Sequence, residues 1–78
     1  MEGYKIRMYK EYHELKARHR RLRRIIAKAE AGTLPFEAKT PVTLMKQQAA
    51  AMDVYMKVLE TRAELEGLDL DGVIPWEW

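Results

Sequence analysis

Apolar residues recur every seven positions through the first third of the chain. Met8, Leu15, Leu22 and Ala29 form one series, and Tyr12 and Ile26 lie on a second, with His19 as its polar member. Two interleaved series, three and four residues apart, put their side chains on one helix face as an a/d-like seam. The segment contains no proline and many good helix formers, so the pattern predicts a helix over about residues 4–31. Gly32 suits the C′ position that ends it. A helix of that span is about 42 Å long and needs a packing partner, because tertiary contact supplies most helical stability.

The stretch GTLPFEAKT (32–40) is the connector. Pro35 interrupts any helix, and Leu34 and Phe36 are expected to plug the closed end of a hairpin. TPVT then starts a second helix, with Thr40 as N-cap and Pro41 at N1. This helix is predicted over about residues 41–66 and stops at Gly67. Its expected inward stripe is Leu44, Met45, Ala51, Met52, Tyr55, Val58, Leu59 and Leu65, and the alanines of QQAAAM permit close helix approach. Gln48, Tyr55 and Arg62 recur every seven residues within that stripe. Such a polar series needs partners. It either forms a hydrogen-bond network between subunits or turns Arg62 into a cavity at an oligomer axis to meet an anion.

The tail GLDLDGVIPWEW (67–78) contains Pro75, Trp76 and Trp78 and does not continue the helix. The expected fold is all-α: one domain over residues 1–78, an αα-hairpin of two long helices with a short C-terminal appendage. Two helices bury one stripe each, so the remaining apolar surface predicts assembly into a helical homo-oligomer.

Composition sharpens that expectation. The chain has 78 residues, 47% of them apolar and 33% charged, which suits a small globular domain. A core of this size supplies only roughly 3–5 kcal/mol. No cysteine staples the fold and no Cys/His cluster offers a metal site, which leaves self-association as the expected extra source of stability. No apolar run approaches the roughly 18 residues that span a bilayer, and MEGYKIRMYKEYHELK has no signal-peptide core. The expected setting is the cytosol, with no membrane partner.

The net charge is only +2, but it is unevenly spread. Residues 1–31 carry ten Lys and Arg against four Glu, whereas residues 53–78 carry two against seven acidic groups. KARHRRLRRIIAK (16–28) holds seven of the fourteen basic residues and no carboxylate. Cations near a helix C-terminus complement its dipole, and long Arg stems cover apolar surface. Half of these residues lie two or more turns from the helix end, beyond the dipole's reach. In an antiparallel hairpin the run lies beside the start of the second helix, which is not acidic. Glu60, Glu64, Glu66, Asp69 and Asp71 lie at the other pole, near residues 4–12. The basic run therefore meets either another subunit's acidic pole or an anionic ligand.

Tyr12, Lys16, His19, Arg20, Arg23 and Arg24 project onto neighbouring rows of one flank, with Tyr9 and His13 on the same side. A ring beside guanidinium groups suits a stacked base with its phosphates held by Arg or Lys. Tyr12 also lies on the seam, where a tyrosine at helical spacing reads as core. No Gly-rich phosphate loop, metal-ligand spacing or nucleophile beside a base is present. The sequence thus reads as a binding or structural protein rather than an enzyme, with no cofactor and no metal.

EYHELKARHRRL (11–22) followed by LMKQQAAAMDVYMKVLETRAEL (44–65) resembles a family of very small phage proteins, including those common in crAss-like gut phages. The shared pattern falls on Glu11, Tyr12, Leu15, Arg18, Arg21 and Leu22, then on Leu44, Gln47 or Gln48, Met52, Tyr55, Leu59 and Arg62. Its better-characterised relatives are the anti-CBASS cyclic-nucleotide sponges of phages. The resemblance implies a helical hexamer that sequesters cyclic dinucleotides, and in some members cyclic trinucleotides, so that the host's defence effector stays inactive. It implies a nucleotide site between N-terminal helices of neighbouring subunits, built from Tyr12 and a downstream cation, with Lys28 the nearest and Arg24 able to substitute. Arg62 matches the arginine of a second type of site, and Arg20 completes the candidate set. The GVIPWEW tail has no counterpart in the pattern and is a candidate to cover a pocket or extend an interface.

Two other readings compete with the sponge. A nucleic-acid-binding module would use the basic helix, although the low net charge and the acidic pole count against a long polyanion. An adaptor would use its charge poles only for head-to-tail assembly.

Overall fold

The computed structural model describes residues 3–72, and these form two helices and no strand. Helix α1 spans Gly3–Ala31 and helix α2 spans Val42–Glu66. Their pairing is antiparallel: Tyr4 meets Glu66, Tyr12 meets Glu60, and Glu30 meets Lys46. The hairpin measures 47 × 20 × 17 Å.

Both helices end on a left-handed glycine. Gly32 has φ 72° and Gly67 has φ 69°, a conformation that costs a residue with a Cβ. Each forms a Schellman motif. Thr33 N–H donates to the Lys28 carbonyl at 2.9 Å and Gly32 N–H to Ala29 at 3.2 Å. At the end of α2, Leu68 N–H donates to Ala63 at 2.8 Å and Gly67 N–H to Glu64 at 3.2 Å. The start of α2 differs from expectation. Pro41, not Thr40, is the N-cap residue, and no side chain caps the helix. With ψ at 145° Pro41 is still extended, so its carbonyl receives the first bonds, from the Leu44 and Met45 N–H groups.

The α1 seam is formed as its spacing predicts. Met8, Tyr12, Leu15 and Ile26 are buried, with His19 and Leu22 half-buried between them and Ala29 half-buried beyond Ile26. On α2 the buried residues are Met45, Ala49, Met56, Leu59 and Ala63, with Met52 half-buried. The inward stripe expected from sequence therefore needs correction. Leu44, Ala51, Tyr55, Val58 and Leu65 are exposed, Leu65 by 82%. α2 carries two parallel heptad series offset by one residue, and the hairpin buries the one without polar members. Burying the other would desolvate Gln48 and Arg62 without partners.

The core is in two parts. At the open end Met8, Tyr12, Leu15, Met56, Leu59 and Ala63 pack with Leu68 and Leu70, which the Gly67 turn brings back onto the helices. At the closed end Ile26, Met45 and Ala49 pack with Leu22, Ile25, Ala29 and Val42. Leu34 is half-buried there, but Phe36 is 56% exposed and does not act as the expected plug. Trp76 and Trp78, whose role in covering a pocket or interface was open, lie outside the described residues.

Leu59 is fully buried. Leu59→Ala is expected to lower unfolding free energy by about 2–5 kcal/mol, read by urea denaturation. Phe36→Ala is expected to change it by less than about 0.5 kcal/mol.

Candidate functional site

Each helix carries a row of side chains that flanks the buried seam at intervals of seven. On α1 the row is Lys16, Arg23 and Glu30, and on α2 it is Lys46, Asp53 and Glu60. Antiparallel packing sets these rows against each other along one side of the hairpin. Two adjoining cavities open there and share His19 and Arg23. One, of about 460 Å³, is lined by Tyr12, Lys16, His19, Arg20, Arg23, Met56 and Glu60. The other, of about 530 Å³, lies between Arg23, Ala27 and Glu30 on α1 and Lys46, Ala49, Ala50 and Asp53 on α2.

The groove opens where the core is divided. His19 occupies a seam position without filling it as Leu would, and Ala49 and Ala50 are short, so the helices leave space between the two apolar clusters. The rows close onto each other at one end only, where Lys46 Nζ and Glu30 Oε2 lie 2.5 Å apart. No ion pair joins Arg23 to Asp53 or Lys16 to Glu60. Asp53 instead lies 4.0 Å from Lys57 on its own helix, and Glu60 accepts the Tyr12 hydroxyl at 2.8 Å. Among the described residues Lys16, Arg18, Arg20, Arg21, Arg23, Arg24 and Lys28 make no ion pair. Lys16 Nζ lies 5.9 Å from the Tyr12 ring centroid, within cation–π range.

Tyr12 is a core residue, 6% exposed. Burial, then the hydrogen bond to Glu60 and the negative charge of Glu60 and Asp71, push its hydroxyl up to about 12. Neighbouring Tyr9 and His13 bind the returning chain: the Tyr9 hydroxyl donates to the Gly72 carbonyl, and His13 Nε2–H donates to the Leu70 carbonyl at 2.6 Å. His13 also lies edge-on to Tyr12, with ring centroids 5.3 Å apart. The aromatic flank beside the basic run therefore anchors residues 68–72.

The sequence-derived candidates fall on three surfaces. Tyr12 and Arg20 line the groove. Arg24 and Lys28 are exposed on the side of α1 turned away from α2. Arg62 sits in a shallow apolar recess with Val54, Lys57, Val58 and Thr61, on a different face of α2 from the groove row. One subunit does not bring these five residues together. The reading from sequence missed Lys46, Asp53 and Glu60 as lining residues, although their seven-residue spacing beside the seam was the available signal.

The described residues contain no cluster of His, Cys, Asp and Glu able to hold a metal, and no helix long and apolar enough to cross a membrane. The described residues thus form a small helical hairpin with an open groove lined by charges of both signs. The family model of Sequestin matches residues 2–65, and the chain belongs to the Sequestin family, which fits a relationship with phage cyclic-nucleotide sponges. Membership carries a sequestering, binding role. No curated protein and no solved structure matches the chain.

The Tyr12 shift gives a signed pH dependence. Its folded pKa is raised above the ordinary 10.0, so its contribution to stability is complete below pH 10 and is lost as pH rises toward 12. Denaturation midpoints at pH 9 and pH 11.5 are expected to fall further for the native chain than for Tyr12→Phe, which lacks the titrating group.

Proposed function

We propose that the chain is a phage anti-defence protein that sequesters cyclic di- or trinucleotide immune signals of the anti-CBASS type without cleaving them. It would act in the host cytosol as a homo-oligomer, a hexamer by resemblance. The observation that carries this reading is the row of cations in the groove. Lys16, Arg20 and Arg23, with His19 between them, face the same space and have no carboxylate partner.

The charge layout suits a compact anion. Guanidinium and ammonium groups hold phosphate through charge-assisted hydrogen bonds. A groove of two adjoining cavities, about 460 and 530 Å³, is in the size range of small-molecule sites. The cavity floor of Met56, Ala27, Ala49 and Ala50 offers apolar area to a base. Asp53 and Glu30 add acceptors for its N–H groups. A polynucleotide long enough to leave the groove meets the acidic pole of Glu64, Asp69 and Asp71 and is repelled.

In this reading Arg20 contacts phosphate directly, and Lys16 and Arg23 join it. Tyr12 does not stack on a base. Its hydroxyl holds Glu60, and its buried ring supports the wall beneath Lys16. Arg24, Lys28 and Arg62 reach a ligand only from a neighbouring subunit, as the resemblance implies for a site shared between subunits.

Calorimetry against a panel of cyclic di- and trinucleotides is expected to show saturable binding, with the nucleotide recovered intact after denaturation. Arg20→Ala and Arg23→Ala are each expected to weaken binding about tenfold or more, the scale of one hydrogen bond to a charged group. Log affinity against log salt is expected to have a slope magnitude below about 2, as few phosphates are neutralised. Absence of binding across the panel, or a steep slope with single-stranded RNA or DNA, overturns the reading.

A further inference from the structure

His19 is the polar member of the α1 seam, and no hydrogen bond among the described residues accounts for it. It stands between Tyr12 and Ile26 in the heptad series, where a leucine would close the gap between the two apolar clusters. The ring is half-buried and forms no hydrogen bond or ion pair with any described residue. No buried side-chain nitrogen or oxygen among those residues lacks a partner, so the ring nitrogens of His19 are open to the groove it lines. With Arg23 it belongs to both cavities, at the point where they adjoin.

We infer that His19 is itself a ligand contact and binds the anion as imidazolium, so that capture takes up a proton and tightens as pH falls. The inference rests on the groove being the anion site proposed above, and it holds for any phosphate-bearing ligand. Histidine is the side chain whose ordinary titration falls between pH 5 and 8. Neutral imidazole has one N–H donor and one acceptor, and the acceptor repels a phosphate oxygen. Imidazolium has two donors and a positive charge.

The charges around the ring decide what an anion changes. On its own helix the ring is faced by Lys16, Arg20 and Arg23, and across the groove by Lys46, Asp53 and Glu60. Lys46 is paired with Glu30, and Glu60 accepts the Tyr12 hydroxyl. A proton on His19 thus adds a positive charge beside Lys16, Arg20 and Arg23. An anion among these cations supplies the counter-charge, so it favours the protonated ring. By linkage the protonated ring favours the anion to the same extent. Lys, Arg, Asp and Glu side chains ordinarily keep their charge through this range. That leaves His19 to make affinity respond to pH.

Sulfate keeps its charge from pH 5 to 8 and serves as the probe, so the test needs no nucleotide. The chain has two histidines, and proton NMR follows each ring across pH. The resonance missing from His19→Leu identifies His19. Its midpoint is expected to be higher in sulfate than in chloride of equal ionic strength, by about half a pH unit. His13, whose Nε2–H donates to the Leu70 carbonyl at the open end, is expected to show no comparable difference. His19→Leu is also expected to keep its helical circular dichroism and to melt at a higher temperature, because leucine fills the seam.

Where a cyclic nucleotide binds, native affinity is expected to fall by up to about tenfold per pH unit between about pH 6 and 8, the slope for one proton. His19→Leu is expected to bind more weakly and without that slope. An unchanged His19 midpoint in sulfate, an equal rise at both histidines, or the native slope persisting in His19→Leu overturns the inference. Should His19→Leu unfold, His13→Gln assigns the resonances and the sulfate titration decides alone. If no nucleotide binds, the ligand reading fails while the sulfate titration still decides this one.

Discussion

A pair of helices has one mutual seam, and nearly everything in this hairpin follows from what that seam accepts. α1 offers Met8, Tyr12, Leu15, His19, Leu22 and Ile26 along one line. α2 offers two candidate lines, and desolvation selects between them: the line of Met45, Ala49, Met52, Met56, Leu59 and Ala63 has no polar atom to strand. The other line, with Gln48 and Arg62, is displaced to the surface. One choice thus creates both the core and an amphipathic outer face.

The place where the seam is poorly filled is the place where chemistry collects. His19 on α1 and Ala49 and Ala50 on α2 cannot bridge the two apolar clusters, and the resulting gap is bordered by heptad rows of charge. Glu30 and Lys46 neutralise each other, and Glu60 is held by Tyr12. Lys16, Arg20 and Arg23 form no ion pair, although Glu60 and Asp53 line the same groove. Surface ion pairs contribute little to stability, so leaving these cations unpaired costs the fold little and leaves them available to an anion.

The open end of the hairpin is closed by polar as much as apolar contacts. Leu68 and Leu70 enter the core behind the Gly67 turn, while Tyr9 and His13 hold the carbonyls of Gly72 and Leu70. This accounts for the aromatic residues beside the basic run: two of them secure the returning chain, and the third, Tyr12, is part of the core. It also concentrates Asp69 and Asp71 with Glu60 and Glu64 around one cavity, which gives the molecule its acidic pole.

The helices, their glycine stops and the seam of α1 were legible in the sequence, because periodicity and backbone stereochemistry are local. So was the separation of charge, since antiparallel pairing of two long helices leaves little freedom in which ends meet. The buried face of α2 was not legible from an apolar count, because Leu44, Val58 and Leu65 score as well as Met45, Met56 and Ala63. Only contact with α1 decided it, by desolvating one line and leaving the other in water. The fate of Tyr12 was undecided for the same reason: a ring on the seam can be core or ligand platform until the residue opposite is known, and that residue is Glu60. The dispersal of Arg20, Arg24, Lys28 and Arg62 over three surfaces likewise belongs to tertiary structure. A helix distributes neighbours in sequence around its axis, and packing determines which of those directions face a groove.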